Sequence, residues 1–130
     1  MSALPPNSFV ASGPVIIEDG KVLLNKHGDD DFWKFPGGRV KDLDITLEEA
    51  AKREVKEEMG IDVELIRPLK PIMLKQPDGR AAILVHYLAK RFGEVKPGPD
   101  IREWAWHPID ALPPDLAPNI KPVLEEAKNG

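Results

Sequence analysis

Strands dominate the order of this 130-residue sequence and two helices interrupt it, which predicts an α+β or α/β sandwich built on a mixed sheet. Three observations support that class. Short runs of Val, Ile and Leu are separated by turn dipeptides. One charged segment carries helix signals at both ends, and a second helical segment closes the chain. The length suits one domain over residues 1–130.

The elements follow in order. "PVIIEDGKVLLNK" reads as two strands joined at Asp19-Gly20, a strong hairpin signal. "FWKFPGGRV" then brings aromatics to Pro36-Gly37-Gly38, where helix and strand both break. Thr46, with Glu49 three residues on, makes a capping box that starts a helix, and Gly60 is placed to end it. "IDVELIRPLKPIMLKQ" and "RAAILVHYLAKRF" read as the two arms of a hairpin around Pro77-Asp78-Gly79. "IREWAWHPI" alternates as a further strand. "DLAPNIKPVLEEAKNG" reads as a C-terminal helix opened by Asp115 and Pro118, with Pro122 in its first turn.

Composition removes several function classes. No cysteine is present, so disulfides, a thiolate nucleophile and a thiolate metal site are excluded. The net charge of −4 disfavours a broad nucleic-acid surface but leaves room for a small phosphorylated ligand. No apolar run reaches membrane-spanning length. "MSALPPNSFV" lacks the basic start and apolar stretch of a secretory signal, so a cytoplasmic location is expected.

The acidic helix has two kinds of Glu. At roughly 100° per residue, Leu47, Ala50, Ala51, Val55 and Met59 form one apolar stripe. Glu58 falls by angle between Leu47 and Ala51; Glu54, Glu57 and Glu58 all lie on the rim of that stripe, and Glu49, Lys52 and Lys56 face water. Like charges held close beside apolar surface repel one another, and desolvation adds to the cost. A hard divalent cation relieves both, because Mg²⁺ and Mn²⁺ favour oxygen ligands. The competing reading is a set of surface ion pairs with Arg53 and Lys56.

"REVKEEMGI", Arg53 to Ile61, resembles the second half of the Nudix box, G-x5-E-x7-R-E-U-x-E-E-x-G-U with U aliphatic. Arg53, Glu54, Val55, Glu57, Glu58, Gly60 and Ile61 fill each fixed position of that half, and "FPGG" is similar to the family's usual approach to the box. The first half departs from the pattern. Fourteen residues separate Gly38 from Arg53 where the box has thirteen, so one is inserted, and Asp44 or Ile45 stands near the place of the first box Glu. In the family that Glu mainly braces the loop through the Arg.

The resemblance implies an α/β/α sandwich with a mixed sheet and a loop-helix-loop motif. It also implies metal-dependent hydrolysis of the pyrophosphate in a nucleoside diphosphate derivative, such as ADP-ribose, a dinucleoside polyphosphate, an oxidised nucleotide or a sugar nucleotide. By the same resemblance Glu54, Glu57 and Glu58, with the backbone carbonyl of Gly38, would hold Mg²⁺ or Mn²⁺. Arg53 would orient the ligand carboxylates. A further acid outside the box often serves as ligand or general base; Glu103 is preferred, with Asp100 and Glu57 as alternatives. The family includes monomers and homodimers.

Other residues carry two readings each. Trp33 and Phe35 would stack on a base or pack the loop onto the sheet, with packing favoured. Lys34 and Arg39 flank the glycines and would reach phosphates or remain solvated. His27, His86 and His107 share no metal-ligand spacing, and His86 reads as a core histidine or as part of the substrate wall. Trp104 and Trp106 share one side of their strand. Pro77 reads as a turn residue, or as the downstream proline of relatives that cleave ADP-ribose. The alternative function is a non-catalytic nucleotide- or metabolite-binding module on the same fold; an acidic surface for a basic partner is a third.

Overall fold

The computed structural model describes residues 4–41, 43 and 45–128. Asp44, one of two candidates for the first box Glu, lies outside them. Seven strands form the sheet among the described residues: β1 (Phe9–Glu18), β2 (Lys21–His27), β3 (Gly38–Arg39), β4 (Asp62–Pro68), β5 (Ile72–Lys75), β6 (Ala81–Phe92) and β7 (Ile101–Pro108). Two helices accompany them, α1 (Leu47–Met59) and α2 (Ile120–Lys128). The sheet order is β4-β6-β1-β2-β7, with β3 beside β1 and β5 beside β6. Among the strands of the described residues, only β1 and β6 are parallel, from Phe9 opposite Ala82 to Ile16 opposite Ala89; the other strand pairs are antiparallel.

A helix covers each face of the sheet, and strand alternation sorts the core between them. Val15, Val22 and Leu24 pack with Ile120, Val123 and Leu124 of α2. Ile16 and Leu23 point the other way, onto Val55 and Met59 of α1. Burial on both faces is why "PVII" and "KVLL" are continuous apolar runs rather than alternating ones. The expected sandwich with a mixed sheet is therefore what forms. Among the described residues, no helix is long and apolar enough to cross a membrane.

Local chemistry sets several boundaries where the sequence placed them. Asp19 and Gly20 take φ of 51° and 75°, the left-handed pair that a two-residue hairpin turn requires. Thr46 caps α1 by accepting the Glu49 N–H, and Gly60 ends it in left-handed conformation with its N–H on the Lys56 carbonyl.

Two expectations need correction. The arm "IDVELIRPLKPIMLKQ" is two strands: Pro68 and Pro71 bracket the break between β4 and β5, since proline cannot donate to a ladder. Both strands still pair with β6, and the Pro77-Asp78-Gly79 turn closes the hairpin through Gln76 and Arg80. The C-terminal helix begins at Ile120, later than Asp115 and Pro118 suggested, because the Asp115 carbonyl accepts from Trp33 instead. Pro122 does fall in the first turn, where its missing N–H costs nothing.

The loop Pro36-Gly37-Gly38 crosses β1 with backbone against backbone. A Cβ on Gly13 would lie 2.0 Å from the Pro36 carbonyl oxygen, and one on Gly37 would lie 2.6 Å from that of Ser12. Gly13→Ala is expected to lower the free energy of unfolding by roughly 1–3 kcal/mol, the usual range for overpacking. Urea denaturation measures this; a variant as stable as the parent would mean that strand and loop separate easily.

Candidate functional site

The crossing loop meets α1 at two carboxylates. The Gly37 N–H donates to Glu58 Oε1 at 2.9 Å. A Cβ on Gly38 would lie 2.5 Å from Glu54 Oε2, so only a glycine leaves that carboxylate its place beside the loop. Ser12 ties the start of α1 to β1 by donating to the Leu47 carbonyl at 2.9 Å. At the far end of α1, Gly98 sits under the Glu57 carbonyl and donates its N–H to that of Glu58 at 2.8 Å. These contacts enclose a cleft of about 280 Å³, lined by Glu54, Glu57, Glu58, Gly37, Gly38, His27, Lys34 and Asp100.

Side-chain exposure rises from 9% at Glu58 through 18% at Glu54 to 63% at Glu57. Desolvation raises the Glu54 pKa, and the charges of Glu57 and Glu58 raise it further. Arg53 offsets part of this at 3.9 Å from Glu54 and 4.0 Å from Glu57. Lys56 pairs with Asp62 instead. Repulsion that persists after the nearest Arg is counted, in an oxygen-lined cleft, fits a divalent cation. Among the described residues no three acidic or imidazole groups already converge on one point. Glu54, Glu57, Glu58 and the backbone of Gly38 border one cleft without forming a closed cage.

A larger cleft of about 740 Å³ adjoins the acidic one and shares Lys34, Gly37 and Gly38 with it. Its walls include Phe9, Phe32, Phe35, Arg39, Pro77, His86 and Asn119. Lys34 stands 2.9 Å from Asp30 at the junction, and the Arg39 guanidinium lies over the Phe9 ring at 4.0 Å. Pro77 is a turn residue and also a wall residue.

Two site residues expected from the sequence lie elsewhere. Trp33 is 6% exposed, lines neither cleft, and packs edge-on against His107 beneath Lys26. Glu103 stands opposite Lys26 in the β2–β7 ladder, so both project to the face away from α1, toward Trp33 and Asp115. Asp100, the alternative acid, lines the acidic cleft. Trp106 packs into the α1-side core and Trp104 is partly exposed on the same side.

His27 was the residue that spacing missed. Its Nε2 lies 2.7 Å from Glu58 Oε2. Alternation holds the usable signal: Leu23, Asn25 and His27 share the β2 face that α1 covers.

The acidic helix and the folded glycine loop border one cleft. The chain belongs to the Nudix family: the NUDIX domain pattern matches residues 9–127. The crystal structure of a MutT NUDIX hydrolase from Burkholderia pseudomallei is 31% identical, with a TM-score of 0.83 over 92% of this chain and 98% of that one. An ADP-ribose pyrophosphatase from Methanocaldococcus jannaschii is 33% identical over 80% of this chain and 64% of its own length. An 8-oxo-dGTP diphosphatase from Proteus vulgaris is 45% identical over 36% of this chain and 41% of its own. The chain thus spans less than two thirds of these two curated relatives.

His86 shows how burial has tuned the larger cleft. Desolvation pushes its pKa down from 6.5 to about 4. The neutral ring then accepts an Asn119 amide hydrogen at Nε2, over 3.1 Å. The unfolded chain takes up this proton near pH 6.5 and the folded one only near pH 4. The contribution of His86 to stability is therefore intact above pH 6.5 and falls by about 3 kcal/mol as pH drops to 4. Urea titrations of the parent and His86→Gln across that window check this, with the flatter slope expected in the variant.

Proposed function

We propose that this chain is a divalent-metal-dependent pyrophosphohydrolase acting on a nucleoside diphosphate linked to a second group. The observation that carries the reading is the junction of two clefts. One is acidic and built on α1; the other is wide and partly aromatic; and Lys34, Gly37 and Gly38 border both. An anionic diphosphate would be repelled by Glu54, Glu57 and Glu58 without a cation between them. Mg²⁺ or Mn²⁺, when bound, would supply neutralisation of phosphate oxygens and activation of water.

The chain's own groups divide the remaining work. The Gly37 N–H and the Gly38 backbone fix Glu58 and Glu54. Lys34 offers a positive charge where a diphosphate would pass between the clefts. Arg39 offers a second, on the wider side. Arg53 steadies Glu54 and Glu57 from the solvent side. Of the acids that border the cleft, Glu57 and Asp100 are the exposed ones, and either would take the proton from water.

Among candidate substrates ADP-ribose comes first, because the relative aligned over 80% of this chain bears the name ADP-ribose pyrophosphatase. Oxidised deoxynucleoside triphosphates come second, on the shorter match. A non-catalytic binding module is the second reading, favoured by the inserted residue between Gly38 and Arg53 and by the open arrangement of the carboxylates.

The test is turnover of a panel of nucleoside diphosphate derivatives with Mg²⁺, Mn²⁺ or chelator, followed by chromatography. We expect metal-dependent release of a nucleoside monophosphate. Glu57→Gln and Glu58→Gln should lower kcat by roughly 10²–10⁴-fold, within the range of general-base and metal-site losses. Glu103→Gln should change kcat by less than about twofold, because its side chain leaves the cleft. Metal-dependent binding without turnover of any compound would instead establish the binding module.

A further inference from the structure

We propose that His27 is a nitrogen ligand to the cation of the acidic cleft, and that it biases this site toward Mn²⁺ over Mg²⁺. The inference rests on the metal-site reading above and adds a residue that lies outside the box.

The placement follows from strand geometry. His27 is the last residue of β2, two steps beyond Asn25 on the face that α1 covers. Asn25 reaches Met59 on that face, with its Nδ2 3.5 Å from the sulfur. His27 reaches Glu58, the next carboxylate back along the helix. The ladder with β7 shifts register between Lys26 and His27, and the Gly28 N–H then bonds the Asp100 carbonyl at 3.1 Å. Imidazole, Asp100 and the three Glu therefore border one cleft.

The contact itself suggests two donors aimed at a common point. Nε2 lies 2.7 Å from Glu58 Oε2, yet the nitrogen is buried and has no directed hydrogen-bond partner. Glu58 Oε1 is already taken by the Gly37 N–H, which leaves Oε2 and Nε2 side by side at the cleft. Adjacent ligands of one ion, each about 2.1 Å from it at a right angle, stand about 3.0 Å apart, so a shift of a few tenths of an ångström would seat an ion between them. Mn²⁺ also favours oxygen, but as a transition metal it admits an imidazole among its ligands more readily than Mg²⁺, which retains its water.

The test is metal binding, read without turnover. Calorimetry would compare Mn²⁺ and Mg²⁺ on the parent, His27→Ala and Glu58→Gln at neutral pH. Removing His27 should weaken Mn²⁺ by roughly ten- to a hundredfold. It should weaken Mg²⁺ by less than about threefold, so that the preference is lost. Pulsed EPR of Mn²⁺ on the parent should show coupling to a ¹⁴N nucleus that changes to ¹⁵N when histidine alone is labelled, a result that needs no variant. Equal weakening of both ions in His27→Ala, or no histidine nitrogen coupling in the parent, would overturn the proposal and leave His27 as a partner that only orients Glu58. Binding of neither ion by the parent would overturn the metal-site reading along with it. Binding of both ions that depends on Glu58 but not His27 would leave that reading standing and remove this one.

Discussion

The rest of the site depends on one close approach, the crossing of Pro36-Gly37-Gly38 over Ser12-Gly13 of β1. Two chains meet there at backbone distance, and a methyl group on either Gly13 or Gly37 would occupy the space of a carbonyl oxygen. Because the loop lies this low, the Gly37 N–H reaches Glu58 and the Gly38 backbone borders Glu54. A loop held higher by a side chain would lose both contacts. The glycines thus act on the acidic cleft through height above the sheet, which is a steric property before it is a chemical one.

A second constraint fixes α1 at its other end. The loop after β6 runs beneath the helix C-terminus, where Lys96 and Gly98 donate to the carbonyls of Met59 and Glu58. Those carbonyls would otherwise lack partners at the end of a helix. The same contact delivers Asp100 to the cleft rim and sets the approach of β7 toward β2. Helix capping and site assembly are therefore one structural event, and Gly98 is needed because a Cβ there would lie 2.8 Å from the Glu57 carbonyl oxygen.

Much of this was legible in the sequence, and the reasons differ by element. The first hairpin and α1 were readable because their signals are local: Asp19-Gly20, the Thr46 cap, Gly60, and an apolar stripe that placed Glu58 at its rim and Glu49 outside. The break between β4 and β5 was also written locally, in Pro68 and Pro71, and a single long arm gave those prolines too little weight. Glu103 against Asp100 could not be settled locally. It turns on the β2–β7 register, where Glu103 opposes Lys26 and a shift brings Ile101 opposite His27. No spacing within β7 reports that register. Trp33 followed the same logic, because its burial depends on His107 and Lys26, distant in sequence.

The three box carboxylates are chemically alike and differ in how much water they retain. Glu58 gives up most of its hydration and receives one N–H, from Gly37, while the His27 imidazole stands against its other oxygen. Glu54 gives up less, but desolvation and the charges of Glu57 and Glu58 raise its pKa beyond what Arg53 and Lys41 offset. Glu57 keeps its water, with Arg53 4.0 Å away on the solvent side. A gradient of this kind follows from helix geometry alone: positions 54 and 58 lie one turn apart under the loop, while 57 is rotated toward solvent. It separates carboxylates held against the loop from one exposed to water, within five residues of sequence. Glu54 and Glu58 stand beside the same loop, so the charge of the cleft is a property of the folded chain, present before any ligand arrives.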